Sequence, residues 1–125
     1  MAVKTYNKIV RDKIPEVIMK DGHTVISRII TDKNEVQQLL LDKLAEERDE
    51  LIDAMISNIN KPDKQKIIDE CIDVIDVVEA IVDSYGVSFT EYWEAKQTKH
   101  ETKGEFKKNI FLIEVNERED NKQWK

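Results

Sequence analysis

The 125-residue chain is predicted to be mainly α, an antiparallel helical bundle. Three observations carry this. Gly and Pro are scarce, at three and two residues. Charged residues make up 37% and hydrophobic residues 40%, a balance that suits helices with many solvated faces. Two long stretches, 33–58 and 62–84, repeat apolar residues at the three- and four-residue spacing of a helix face.

The elements follow in order. Residues 4–12, KTYNKIVRD, read as a basic, extended segment. A short helix is expected from Ile14 to Lys20, with Pro15 in its first turn, where a missing N–H does no harm, and Gly22 as its stop. His23–Ile30, HTVISRII, is β-branched and is expected as a short strand. Thr31 or Asp32 caps the next helix, Lys33 to Asn58. Asn60, Lys61, Pro62 and Asp63 break the pattern, and a third helix is expected from Pro62 to Ser84, ended by Gly86. Its apolar residues Ile67, Ile68, Cys71, Ile72, Val74, Ile75, Val78, Ile81 and Val82 cover a wide arc, so it is expected to be the most buried helix. Ser88 with Glu91 makes a capping box for a fourth helix, Thr90 to Thr102, stopped by Gly104. Residues 106–115, FKKNIFLIEV, are expected as a second short strand or packed extended segment, and 116–125 as a polar tail on which Trp124 docks. One domain is expected over 1–125, with its core at about 5–115.

The net charge of −6 argues against nucleic acid as the main partner. The polar start, MAVKTYNKIVRDK, has no apolar h-region, so no secretory leader is expected. No apolar run approaches the length of a membrane span. The single cysteine, Cys71, allows no disulfide within the chain and fits a reducing cytoplasm; it reads as a small core residue.

Two pairs of acids stand out: Glu47 with Glu50, and Glu70 with Asp73, each spaced i, i+3 so that it projects from one helix face. Val36, Leu40, Leu44, Leu51 and Met55 form an apolar stripe, and at roughly 100° per residue Glu47 falls inside it. Burying an unpaired carboxylate costs several kcal/mol, on the order of other isolated buried charges, so something must compensate. Two facing helices with two carboxylates each would line an oxygen site for a hard divalent cation, Mg²⁺ or Mn²⁺. Glu70 and Asp73 fall at the edge of their helix's apolar surface. Asp69, Asp76 and Asp83 recur every seven residues on what reads as a solvated outer side. A di-iron site would need Glu three residues before His; His23 and His100 follow Lys20 and Gln97 instead. Lys8, Arg11 and Lys13 near the start, and Lys96, Lys99 and Lys103 on one face of the fourth helix, are candidate cations for a polyphosphate.

The runs YNKIVRDKIPEVI, EERDE (46–50), ECID (70–73) and KGEFKKNIFLIEV together resemble the MazG-like, all-α nucleoside triphosphate pyrophosphohydrolases. The similarity is greatest to their phosphoribosyl-ATP pyrophosphohydrolase-like branch and spans about residues 5–115. The resemblance implies an antiparallel helical fold that forms dimers, or in some members tetramers. It implies Mg²⁺-dependent cleavage between the α and β phosphates, giving a nucleoside monophosphate and pyrophosphate. Glu47, Glu50, Glu70 and Asp73 would then be the metal ligands and Glu46 an additional acid. Glu46 and Glu47 are the candidates for orienting or deprotonating the attacking water. The competing expectation is a non-catalytic helical dimer that binds nucleotides or regulates a protein partner.

Overall fold

A computed structural model of the chain describes residues 2–116. The polar tail and Trp124 lie almost wholly outside the described residues. Among the described residues four helices follow one another: α1, Ile14–Lys20; α2, Lys33–Asn60; α3, Lys64–Ser84; and α4, Phe89–Lys103. They fall into two compact units, Met1–Val87 and Ser88–Lys125.

In the first unit, α1 closes at Gly22, whose φ of 89° is open to glycine without a Cβ clash; His23 N–H then donates back to Ile18 O at 3.3 Å. Asp32 caps α2, accepting from Asn34 N–H at 3.3 Å. Asn58 Oδ1 accepts from Asp63 N–H at 2.7 Å and shapes the turn between α2 and α3. Asp63 in turn accepts from Lys66 N–H at 3.0 Å, so Asp63 is the cap of α3 and Pro62 stands outside the helix rather than at its first position. The short connection and the pairing of early α2 with late α3 make the two helices antiparallel. Gln37 Nε2 donates to Ser84 O at 3.0 Å at one end, and the Asn58–Asp63 turn closes the other.

The α2–α3 seam holds the core, and it is thin: among the described residues the buried apolar side chains are Leu40, Ala54 and Val77. Two expectations change here. Met55 is exposed, and Ala54 takes the buried position at that level of α2. α3 does not stand out as the most buried helix: Glu70 and Val77 are its buried residues against Leu40, Glu47 and Ala54 of α2, while Ile68, Ile72 and Ile75 are exposed and Cys71 is only half-buried. One antiparallel neighbour covers one stripe of a helix, and Val77 with Glu70 lies on the stripe that α2 covers.

In the second unit, Ser88 Oγ accepts from Glu91 N–H at 3.1 Å, one half of the expected capping box, and Gly104 ends α4 at a φ of 81°. Neither expected strand forms. Residues 23–30 and 106–115 carry no strand structure, because a strand needs a laddered neighbour and neither segment has one among the described residues.

Candidate metal centre

Glu47 and Glu50 project from α2, and Glu70 and Asp73 from α3. One carboxylate oxygen from each of the four lies within 4.8 Å of the others. The antiparallel seam therefore brings both acid pairs to one place. Glu47 and Glu70 are each only 6% exposed, Asp73 is intermediate and Glu50 is exposed. The cluster thus runs from a buried floor to an open rim. Glu70 is more deeply placed than its position on the apolar arc implied, because α2 packs directly against that side of α3.

The two buried acids are built alike. Lys43 Nζ lies 3.2 Å from Glu47 Oε1, and Lys66 Nζ lies 2.9 Å from Glu70 Oε1. Each lysine sits four residues before its glutamate on the same helix, the spacing that brings side chains together. The second oxygens, Glu47 Oε2 and Glu70 Oε2, are buried and have no hydrogen-bond partner. A buried carboxylate oxygen without a partner carries its full desolvation cost. The four carboxylates could hold a metal ion that would answer this cost, and an all-oxygen donor set is the kind that suits a hard divalent cation.

Electrostatics around the cluster are tight. Glu50 is pushed up to about 7, first because a proton on Glu50 can be shared with the Glu47 carboxylate, a bond that does not exist while both acids are ionised, then by partial burial and the charges of Glu47, Glu70 and Glu46. Glu46 is held below the usual carboxylate range, chiefly because Lys8 donates to it at 2.8 Å; Lys43 adds a contact at 3.4 Å. The same bond raises Lys8, and donation to Glu70 raises Lys66. Arg11 donates through one nitrogen to Asp76 Oδ2 at 2.7 Å and through the other to Asp73 Oδ1 at 2.6 Å; these two bonds, Asp76 first, raise it.

Of the basic residues singled out in the sequence, Lys8 and Arg11 reach the acids, one on each helix. Lys13 is exposed. Lys96, Lys99 and Lys103 stand exposed on α4, in the second unit. Three residues at the site were not singled out. Lys43 and Lys66 had a legible signal, a lysine four residues before each buried glutamate. Asp76 does not belong to a free outer face: it holds Arg11, and the three-residue step from Asp73 was the available sign.

The family model of phosphoribosyl-ATP pyrophosphohydrolase matches residues 13–100, more than two thirds of the chain, and contains both acid pairs. No match was found among curated proteins or among solved structures. The matched stretch holds α1 to α3 and most of α4, with the four-acid cluster at the centre of the α2–α3 seam. The chain belongs to the phosphoribosyl-ATP pyrophosphohydrolase family, a family of pyrophosphohydrolases.

Proposed function

We propose that the protein is a divalent-metal-dependent nucleotide pyrophosphohydrolase. It cleaves the α–β phosphate bond of a nucleoside triphosphate or a phosphoribosyl-ATP-like substrate, releasing a monophosphate and pyrophosphate. The observation that carries this reading is the pair of buried, partnerless oxygens, Glu47 Oε2 and Glu70 Oε2, on facing helices within a four-carboxylate cluster.

Glu47, Glu50, Glu70 and Asp73 would hold Mg²⁺, or Mn²⁺ in its place. A cation there supplies charge neutralisation at phosphate oxygens and a more acidic water. Around the cluster stand six carboxylates, counting Glu46 and Asp76, and four cations: Lys8, Arg11, Lys43 and Lys66. When all are ionised they leave two negative charges, which one divalent cation balances. Glu46 and Glu47 are the proposed acids for orienting the attacking water. Lys8 keeps Glu46 ionised and lowers its basicity, which suits it to orient a water by accepting a hydrogen bond more than to take its proton. Lys8 and Arg11 supply positive charge for the leaving pyrophosphate. Lys13 and the α4 face of Lys96, Lys99 and Lys103 are further candidate phosphate contacts, each on its own.

The proposed setting is the cytoplasm, and the proposed task is removal of noncanonical or surplus nucleotides. The proposed active form is a homodimer or homotetramer. A dimer that bound nucleotide without metal would give the two partnerless oxygens no use. The test is pyrophosphate release from a panel of nucleotides, with Mg²⁺ and with excess chelator. Metal-dependent release supports the enzyme; nucleotide binding without release supports the non-catalytic alternative.

A further inference from the structure

The segment before α1 straddles the acid cluster. Asn7 holds a φ of 46°, a left-handed conformation that asparagine tolerates better than most residues. The next residue, Lys8, reaches Glu46 on α2 at 2.8 Å, and Arg11 reaches α3. There its guanidinium spans two carboxylates one turn apart: Asp73 at 2.6 Å and Asp76 at 2.7 Å. Asp73 belongs to the four-acid cluster and Asp76 does not.

That difference separates the two carboxylates by role. A cation in the cluster competes with Arg11 for Asp73. If Asp73 were the only anchor, Arg11 would lose its partner on metal binding. Asp76 anchors the guanidinium through Nη1 and leaves Nη2, which faces Asp73, free to bond elsewhere. A guanidinium presents a planar fork of donors, and two oxygens of a phosphate group match it. Both ion pairs are solvent-exposed, so they contribute little to stability. Orientation is what the arrangement provides.

Resting on the metal-dependent reading above, we propose that Asp76 is a positioning residue. It holds Arg11 at the rim of the metal-loaded cluster, where Arg11 binds the pyrophosphate end of the substrate.

Calorimetry separates this from the reading it rests on. Mn²⁺ is titrated into metal-free protein, and pyrophosphate into the Mn²⁺-saturated protein. Asp76→Asn is expected to weaken pyrophosphate binding about tenfold, the scale of one charge-assisted hydrogen bond, while leaving Mn²⁺ affinity at the wild-type value. Asp76→Glu, which can still reach the guanidinium, restores most of the loss. Arg11→Ala weakens pyrophosphate binding as well, and adding Asp76→Asn to it causes no further loss. Wild-type pyrophosphate affinity in Asp76→Asn, beside normal Mn²⁺ binding, overturns the role of Asp76 and leaves the metal reading standing. Additive losses in the double variant overturn it too. Failure of the wild type to bind Mn²⁺ overturns the metal reading, and this inference with it. Should Asp76→Asn fold poorly, Arg11→Ala alone decides: unchanged pyrophosphate affinity there overturns the inference.

Discussion

Glu47 and Glu70 are counterparts across the α2–α3 seam. Each gives one oxygen to the lysine four residues earlier on its own helix, Lys43 at 3.2 Å and Lys66 at 2.9 Å. Each buries its second oxygen without a partner. The lysines offset part of the burial cost, and the orphaned oxygens keep the rest. Folding alone therefore leaves the seam under electrostatic tension, which either a bound cation or an apolar replacement would relieve.

Apolar replacement gives the first prediction. Glu47→Leu is expected to leave the metal-free protein at least as stable as wild type in urea unfolding, with a gain of up to about 2 kcal/mol. Lys43 keeps a partner in Glu46, 3.4 Å away, so the change does not strand it. Mn²⁺ should raise the melting temperature of wild type and have much less effect on the variant. A loss of more than about 2 kcal/mol in the metal-free variant would make the Glu47–Lys43 pair a structural element in its own right.

Activity gives the second. Glu50→Gln and Asp73→Asn each remove a charge from the cluster's outer half, where neither side chain supports the core. Turnover should fall by about 100-fold or more, as when a group that stabilises transition-state charge is lost, with the helical circular dichroism retained. Full turnover in either variant, or undiminished wild-type turnover in excess chelator, contradicts the proposed site.

The third concerns pH. Glu50 rises from 4.5 to about 7 in the folded protein. Between those values the folded state holds a proton that the unfolded state has released, so raising the pH favours unfolding. The metal-free protein should lose stability steadily from about pH 5 to about pH 7, and the slope should flatten above that. Glu46 shifts downward and so acts only on the acid side of this window, where its protonation costs stability. Glu50→Gln should abolish the slope between pH 5 and 7. Thermal melts of both proteins across that range check it, and parallel curves would rule Glu50 out as the source.

The sequence made the helices legible because their punctuation is local. Asp32, Ser88 and the three glycines act within a few residues of themselves, and the structure uses each of them. The acid quartet was legible because Glu47 interrupts an apolar stripe, a conflict visible without any partner helix. What was hidden is long-range. Nothing near Arg11 signals that it meets Asp73 and Asp76, more than sixty residues on. The β-branched run at 23–30 has strand propensity, yet strand formation depends on a neighbour that the described residues do not supply, so the expected strand is absent. The width of the apolar arc on α3 was visible, but not which part α2 would cover: it covers Val77 and leaves Ile68, Ile72 and Ile75 in solvent.

That exposed arc motivates the last prediction, that the chain self-associates. Ile52, Met55, Ile56 and Ile59 recur at helical spacing on α2, and Ile68, Ile72 and Ile75 on α3, all of them exposed. The buried core of Leu40, Ala54 and Val77 is small beside these unburied stripes. Monomers seldom leave so much contiguous helix face apolar, because each side chain brought out of water contributes roughly 1.5–3 kcal/mol. A second copy offers the same two stripes, so a twofold arrangement can bury them against each other and complete a bundle. Light scattering at micromolar concentration should return at least twice the 14.7 kDa chain mass. Ile56→Asp and Ile72→Asp each place a charge on one stripe and should shift the protein towards monomer, with a lower melting temperature that depends on protein concentration. A well-folded wild-type monomer at that concentration would leave both stripes in water and would refute the prediction.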